Sequence, residues 1–315
     1  ASRRGSCSVC MKMYLTNMVS YLSYLKNFCK STPLPEKVSH KSEFHVILSL
    51  DLCRIHGGAG RERKTGAIEE GSSAMAMIED YRSALRAGQR AYRACVARGQ
   101  SPYLAVLDDI LNGVNIVAQE PLGLVDIPAE SIVGTKTSGR HTAFAVNFMP
   151  LLEEDTEFAI KWSNLCEAHL EEGIHTPIIA YEYLNKFYVQ EGNKRVSVLK
   201  YYEAVTIPGT VTRLVPARND TLENKIYYEF LDFYKLSKIN NVQFSRLGGY
   251  AKLQTLVCKA ASEVWSDDDR LNFSALYTMF SQQFYALGGS ALELTPGDAL
   301  LVYLSVYRYS DPCQS

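Results

Sequence analysis

The run of residues best suited to chemistry is Glu191-Gly192-Asn193-Lys194-Arg195, between a predicted strand and a predicted helix. Glycine permits a tight turn and close approach of a ligand to the backbone. A helix that starts directly after the turn leaves its first N–H groups without partners, and these groups attract anions. Lys194 adds a point charge, and Arg195 adds a planar fork that binds phosphate bidentately. The run predicts a phosphate site; the alternative is a turn that serves only the fold.

The carboxylate of Glu191 has three alternative roles. It can orient a cation or a hydroxyl, it can pair with Arg195 as a structural salt bridge, or it can act as general base while Arg195 holds a phosphate. The last role would belong to a phosphotransfer enzyme or a nuclease. Residues 119–216 contain no ligand cluster typical of metal-dependent nucleases, so we predict no metal site and disfavour the nuclease. The acidic side chains here are interpreted as a solvated rim or helix N-terminal charge: Asp126, Glu130, Glu153, Glu154, Asp155 and Glu157.

The first 74 residues differ in pattern from the rest of the chain. Residues 54–73 are rich in glycine and charge and cannot bury enough apolar surface to offset the cost of ordering. We expect residues 1–74 to be disordered or non-native, with Met75 or Met77 as the natural start of translation. Cys7 and Cys10 form a C-x-x-C, but the cysteines and histidines that follow match no common zinc finger, so reduced thiols are favoured over zinc.

The composition is that of a globular protein, with 47% hydrophobic residues, 21% charged residues and a formal net charge of −1. This charge excludes a protein that binds nucleic acid over its whole surface, but it allows a local basic patch. The arginines at 82, 86, 90, 93 and 98 make one helix basic, and we interpret them mostly as a solvated face. No apolar run reaches the ~18 residues of a membrane span, and Met13–Phe28 is too polar for a signal peptide. We therefore expect a cytoplasmic protein.

The periodicity of the chain predicts an α+β fold in three parts. Residues 75–118 form a helical lead-in with helices at Ile78–Arg98 and from Ser101-Pro102 to Asn112-Gly113. Residues 119–216 alternate strands and helices, and residues 217–315 are mainly helical. The predicted elements of the middle part are strands at Leu122–Ile127, Ile132-Val133, Pro177–Tyr181, Lys186–Val189, Val205–Ile207 and Val211–Val215, and helices at Thr156–Glu172 and Lys194–Tyr202.

The middle part, residues 119–216, resembles the ParB/sulfiredoxin-like family in the order of its motifs. In chain order these are Val125-Asp126-Ile127-Pro128 to Ile132, a loop arginine at Arg140, an amphipathic helix, Gly173–Ile178 as a strand start, the Gly192–Arg195 box, and a strand near Ile207-Pro208. The resemblance implies a ParB/sulfiredoxin-like mixed sheet with helices. N-terminal helices and a mainly helical C-terminal region would flank this sheet.

In the family, the box binds nucleotide phosphates, CTP in ParB proteins and ATP in sulfiredoxin. The resemblance therefore implies a CTP or ATP ligand, with Mg²⁺ as its companion, on Arg140, Gly192, Asn193, Lys194 and Arg195. The anion would lie over the box, and Arg140 would approach from the Gly134–Gly139 loop. The ParB box usually reads Gly-Glu-Arg-Arg, so Asn193 and Lys194 leave CTP selectivity and hydrolysis open. The box lacks the catalytic cysteine of sulfiredoxin, which argues against that chemistry.

The wider stretch Tyr81–Tyr307 resembles the N-terminal part of bacterial, Firmicutes proteins labelled BMP-family ABC transporter substrate-binding proteins. In those proteins a periplasmic-binding-protein-like domain follows, so we expect this chain to be truncated before a further domain. Three functions stay open: a nucleotide-binding regulatory module, compatible with a homodimer; an enzyme; and an accessory module of a solute-binding protein. DNA is a weaker alternative, because a helix-turn-helix at Asn241–Ala261 would carry only Arg246, Lys252 and Lys259 as basic residues.

Overall fold

A computed structural model of the chain describes residues 70–289, 292 and 294–307. The predictions for Cys7, Cys10 and the rest of residues 1–69 lie outside this range. Helix α1 spans Glu70–Ala97, so its first residues fall within the segment that the sequence assigns to the N-terminal region. Within the described ranges, no helix is both long and apolar enough to cross a membrane.

A six-stranded mixed sheet forms the centre of the molecule. Its strands are β1 (Ala105–Val106), β2 (Ile116–Pro128), β3 (Ile132–Thr135), β4 (Ile178–Tyr183), β5 (Lys186–Glu191) and β6 (Thr206–Pro216). They lie in the order β1-β3-β5-β4-β6-β2. The pairs β1·β3, β3·β5 and β4·β6 are parallel, whereas β4·β5 and β2·β6 are antiparallel. The predicted α+β class is confirmed at this level.

The helices after α1 fall into two groups. Those of the sheet-containing part are α2 (Leu107–Ile110), α3 (Glu157–Glu171) and α4 (Asn193–Tyr201). Those of the C-terminal part are α5 (Leu222–Ser237), α6 (Gly249–Leu256), α7 (Asp267–Ala286) and α8 (Pro296–Tyr307). Residues Ser138–Ala143 form two short 3₁₀ turns joined by a kink at Arg140. The described part of residues 217–315 contains these four helices and no strand.

Helix ends follow their sequence signals. The Thr156 hydroxyl caps α3 by accepting the Ala159 N–H at 3.2 Å, and Gly173 follows the helix with a φ of +82°. Ser266 and Asp269 form a capping box at the start of α7. Because side-chain oxygens satisfy amides that the helix itself leaves unpaired, these signals act locally and are readable from sequence.

Three predicted elements are wrong. The helix expected after Ser101-Pro102 is only the four-residue α2, because Ala105–Val106 instead pairs with β3 and extends the sheet. The two strands expected around Gly209 are one strand, β6, which pairs with β2 along its length. The segment Asn241–Ala261 holds one helix, α6, rather than the pair that a helix-turn-helix needs.

The two larger of the hydrophobic clusters stabilise the two parts. In the first, α1, α3 and α4 pack on one face of the sheet around Trp162, whose indole N–H donates to the Ser197 hydroxyl at 2.8 Å. In the second, aromatic side chains of the C-terminal helices pack around Phe230, Tyr250 and Trp265. The first core fixes the position of α3 against the start of α4, where the candidate site lies.

Candidate functional site

The strand, turn and helix predicted around Gly192 are present. Strand β5 ends at Glu191 and α4 begins at Asn193, with Gly192 between them at a φ of +106°. A β-carbon on Gly192 would lie 2.8 Å from the Cγ2 atom of Ile178. Glycine is therefore required for two reasons: the backbone at this position is left-handed, and a side chain would have no room. The first helical hydrogen bond runs from the Val196 N–H to the Gly192 carbonyl at 3.0 Å, so the amides before it lie outside the helical hydrogen-bond pattern.

Arg195 faces the start of β4 and is held there by the protein itself. Its Nη1 donates to the carbonyl of Thr176 at 3.0 Å and to that of Pro177, and its Nη2 donates to Glu191 Oε1 at 3.2 Å. Only 16% of its side-chain surface is exposed. These contacts favour the structural alternative for Arg195, in which it fastens the turn to the neighbouring strand.

Lys194, the neighbouring residue, points toward α3 instead. Its Nζ lies 4.6 Å from the centre of the Phe158 ring in the first turn of α3. Burial lowers the pKa of the Lys194 ammonium, and the nearby cations Lys161 and Arg140 lower it further, while Glu157 opposes them. Arg140, on the 138–143 segment, is thus one of the charges that act on Lys194, and its approach to an anion over the box stays a prediction.

Glu157 is the acidic group that these cations share. It pairs with Lys161 one turn along α3, and the hydrogen bond from Lys161 is the main cause of its lowered pKa, with smaller contributions from Lys194 and Arg140. Lys161, Lys194 and Arg140 all act on this one carboxylate, and the four charges sum to +2. We call Arg140, Lys161, Lys194 and Glu157 the cation cluster.

Sequence reasoning missed Lys161. The only local signal is the four-residue spacing from Glu157, which is typical of an exposed helix pair. Nothing in that spacing predicts that Lys161 acts on Lys194, which lies on a different helix. Packing of α3 against α4 places the two helices in contact.

Asn193 joins the turn to the sheet. Its Nδ2 donates to the Thr135 hydroxyl at 3.2 Å, and that hydroxyl donates to the Val189 carbonyl at 3.0 Å. The Oδ1 atom of Asn193 is buried, and no protein donor reaches it among the described residues. A buried acceptor usually has a partner. The Asn193 amide oxygen is therefore an acceptor at the turn that could receive a hydrogen bond from an N–H or O–H group of a ligand or from a water.

Glu191, the predicted general base, is 68% exposed and pairs with Arg195. The six acidic residues that we interpret as a solvated rim or as helix N-terminal charge are all exposed, namely Asp126, Glu130, Glu153, Glu154, Asp155 and Glu157. The described residues include no group of three or more His, Cys, Asp or Glu side chains that could hold a metal ion.

The family resemblance rests on the motifs of this chain alone. Comparison with protein-family models, with curated proteins and with solved structures found no match.

Proposed function

We propose that this chain is a ParB-like regulatory module that binds the phosphates of a nucleotide at the cation cluster beside the start of α4. The observation that carries the proposal is that the Lys194 ammonium, over the Phe158 ring, feels the charges of both Lys161 and Arg140. Three separate elements supply these residues, namely the first turn of α4, the 138–143 segment and α3. An anion at this place would meet both the positive end of a helix and three side-chain cations.

The electrostatics of the cluster support an anionic ligand. Lys194 is partly desolvated and lies near two other cations, so its charged form is destabilised in the unliganded protein. A phosphate would compensate this repulsion and could accept hydrogen bonds from Lys194 and Arg140. Each charge-assisted hydrogen bond contributes roughly 1.5–3 kcal/mol, and every ~1.4 kcal/mol is tenfold in affinity. Loss of one such bond should weaken binding about 10- to 100-fold.

The other residues of the box have a supporting role in this proposal. Gly192 sets the sharp entry into α4, and Arg195 fastens that entry to Thr176 and Pro177. Asn193 connects the turn to Thr135 in β3. A ligand would thus approach a rigid turn, which keeps the entropic cost of binding low.

The test is calorimetric titration of CTP, ATP, GTP and inorganic phosphate, each with and without Mg²⁺, against the wild type and two variants. Lys194→Met and Arg140→Gln should each lower nucleotide affinity by the factor given above. The matched control is Lys235→Met, which removes an exposed lysine paired with Asp232 on α5 and should leave affinity unchanged. Absence of binding by the wild type, or equal affinity of Lys194→Met and the control, would overturn the proposal.

Binding without catalysis agrees better with the position of Glu191. An effective general base usually has a tuned environment, whereas Glu191 is exposed and engaged with Arg195. The phosphotransfer alternative predicts that Glu191→Gln abolishes nucleotide turnover, which a phosphate-release assay would detect. The accessory role in a solute-binding protein remains a prediction from the resemblance.

A further inference from the structure

The second half of α1 carries an arginine face that the phosphate site does not use. Arg86, Arg90 and Arg93 are spaced four and three residues apart, so they lie on one side of the helix over about 10 Å. Arg86 pairs with Glu79 at 2.7 Å. Arg90 and Arg93 are exposed, and neither forms an ion pair with any residue in the described ranges. Two guanidinium groups are therefore available to an external anion.

An open cleft of about 360 Å³ adjoins this arginine face. The residues lining it are Gln89, Tyr92, Arg93, Tyr103, Thr142 and Leu151. The rings of Tyr92 and Tyr103 meet edge to face with centroids 5.6 Å apart, and both are half-buried. The lining contains no acidic side chain, so a negatively charged ligand would meet no repulsion from the walls.

We propose that the arginine face and the tyrosine cleft bind single-stranded nucleic acid. Proteins that bind such strands combine cations along the backbone path with aromatic rings on which bases stack. Arg90 and Arg93 would neutralise phosphates, and Tyr92 in the lining of the cleft would receive an unstacked base. Gln89 and Thr142 add hydrogen-bonding groups for the edge of that base.

A single strand fits this surface better than a duplex or an acidic peptide. The bases of a duplex are stacked on each other, so their faces cannot reach the cleft without unstacking. A peptide of acidic residues alone would satisfy the arginines but has no aromatic ring to stack on the tyrosines. The proposal does not depend on the phosphate site, because Lys194, Lys161 and Arg140 do not line the cleft.

The test is fluorescence anisotropy with labelled oligothymidylate and oligouridylate of about 12 nucleotides, within the site sizes usual for such proteins. Each titration is repeated over a series of salt concentrations. Arg90→Gln/Arg93→Gln should weaken binding and reduce the steepness of log K against log salt by about 1.4, since each phosphate contact on a single strand contributes about 0.7. The matched control, Lys225→Gln/Lys235→Gln, removes two exposed lysines from α5 and should change neither quantity.

A second variant separates stacking from charge. Tyr92→Leu should lower affinity roughly tenfold and leave the salt dependence unchanged, because stacking releases no counterions. Binding of oligothymidylate and oligouridylate with similar affinity would support recognition of the strand itself, and a preference for one would assign the partner to DNA or RNA.

Three results would overturn the proposal. One is tighter binding of a duplex or of an oligoglutamate peptide than of either single strand. Another is binding of free CTP that competes fully with the oligonucleotide and depends on Lys194, which would place both ligands at the phosphate site. The third is equal behaviour of the arginine variant and the control. Melting curves of all variants verify folding, which should be retained because Arg90 and Arg93 are exposed.

Discussion

The buried pair Glu182–Arg213 links the sheet to the C-terminal helices, and its removal should uncouple the two. The residues lie opposite each other on the parallel strands β4 and β6, and each is 1% exposed. Glu182 also accepts the Tyr227 hydroxyl of α5 at 3.1 Å, and the Arg213 guanidinium lies 4.3 Å from the centre of the Tyr234 ring. Burial raises the pKa of Glu182, and Arg213 opposes that rise.

The magnitude depends on which partner is removed. Arg213→Met leaves a buried carboxylate without its cation, and Glu182→Gln leaves a buried guanidinium without its anion. Either loss should cost about 3–5 kcal/mol, which corresponds to roughly 6–20 °C in melting temperature for a chain of this size. The double variant Glu182→Gln/Arg213→Met should cost less than either single change, because glutamine keeps an acceptor for Tyr227 and no charge stays buried.

The two tryptophans provide an assay for each part. Trp162 lies in the core of the sheet and Trp265 in the core of the C-terminal helices. Single-tryptophan variants, each with the other replaced by phenylalanine, should unfold in urea with one shared midpoint. In the Arg213→Met background the Trp265 transition should come at lower urea than the Trp162 transition, since the C-terminal helices lose their buried link to the sheet.

Two results would contradict the proposed role of the Glu182–Arg213 pair. Additive costs in the double variant would show that the pair does not interact as the structure indicates. Coincident transitions in the Arg213→Met background would show that apolar contacts alone couple the two parts.

Three further outcomes are expected. Arg195→Ala should lower the melting temperature of the unliganded protein, because the loss of its hydrogen bonds to backbone carbonyls should cost about 2 kcal/mol of stability. Glu191→Ala should cost under ~1 kcal/mol, because Glu191 is an exposed partner. Equal losses of the two variants in thermal melts would contradict this. Gly192→Ala should cost about 1–3 kcal/mol, because of its positive φ and the contact with Ile178, and an unchanged urea midpoint would argue against the turn described. Burial lowers the pKa of Lys200 to about 8, below its unfolded value of about 10.4, so the unfolded state binds more protons between these values and stability should rise with pH. Urea midpoints below about pH 10, where tyrosines begin to ionise, should show this rise in the wild type, and Lys200→Met should abolish it.

Helix starts and the glycine turn could be predicted from the sequence because the interactions that cause them are local. Thr156 and Ser266 cap helices through side chains that reach amides three residues ahead, and the helix expected from Thr156 does begin there. The path from β5 through Gly192 into α4 was predicted for the same reason. The short helix α2 was not, because the preceding Ala105–Val106 gains sheet hydrogen bonds from β3, about thirty residues later in the chain.

The sequence by itself determined the α+β class, the glycine turn and the identity of the consecutive basic residues Lys194 and Arg195. Only the tertiary structure decided where those two side chains go. Arg195 lies over Gly192 and bonds to carbonyls of the chain that precedes β4, while the Lys194 ammonium lies over the Phe158 ring and feels the charges of Lys161 and Arg140. The physical reason is that adjacent residues of a helix point about 100° apart, so they contact different neighbours, and helix packing and strand order, which involve distant parts of the chain, place those neighbours.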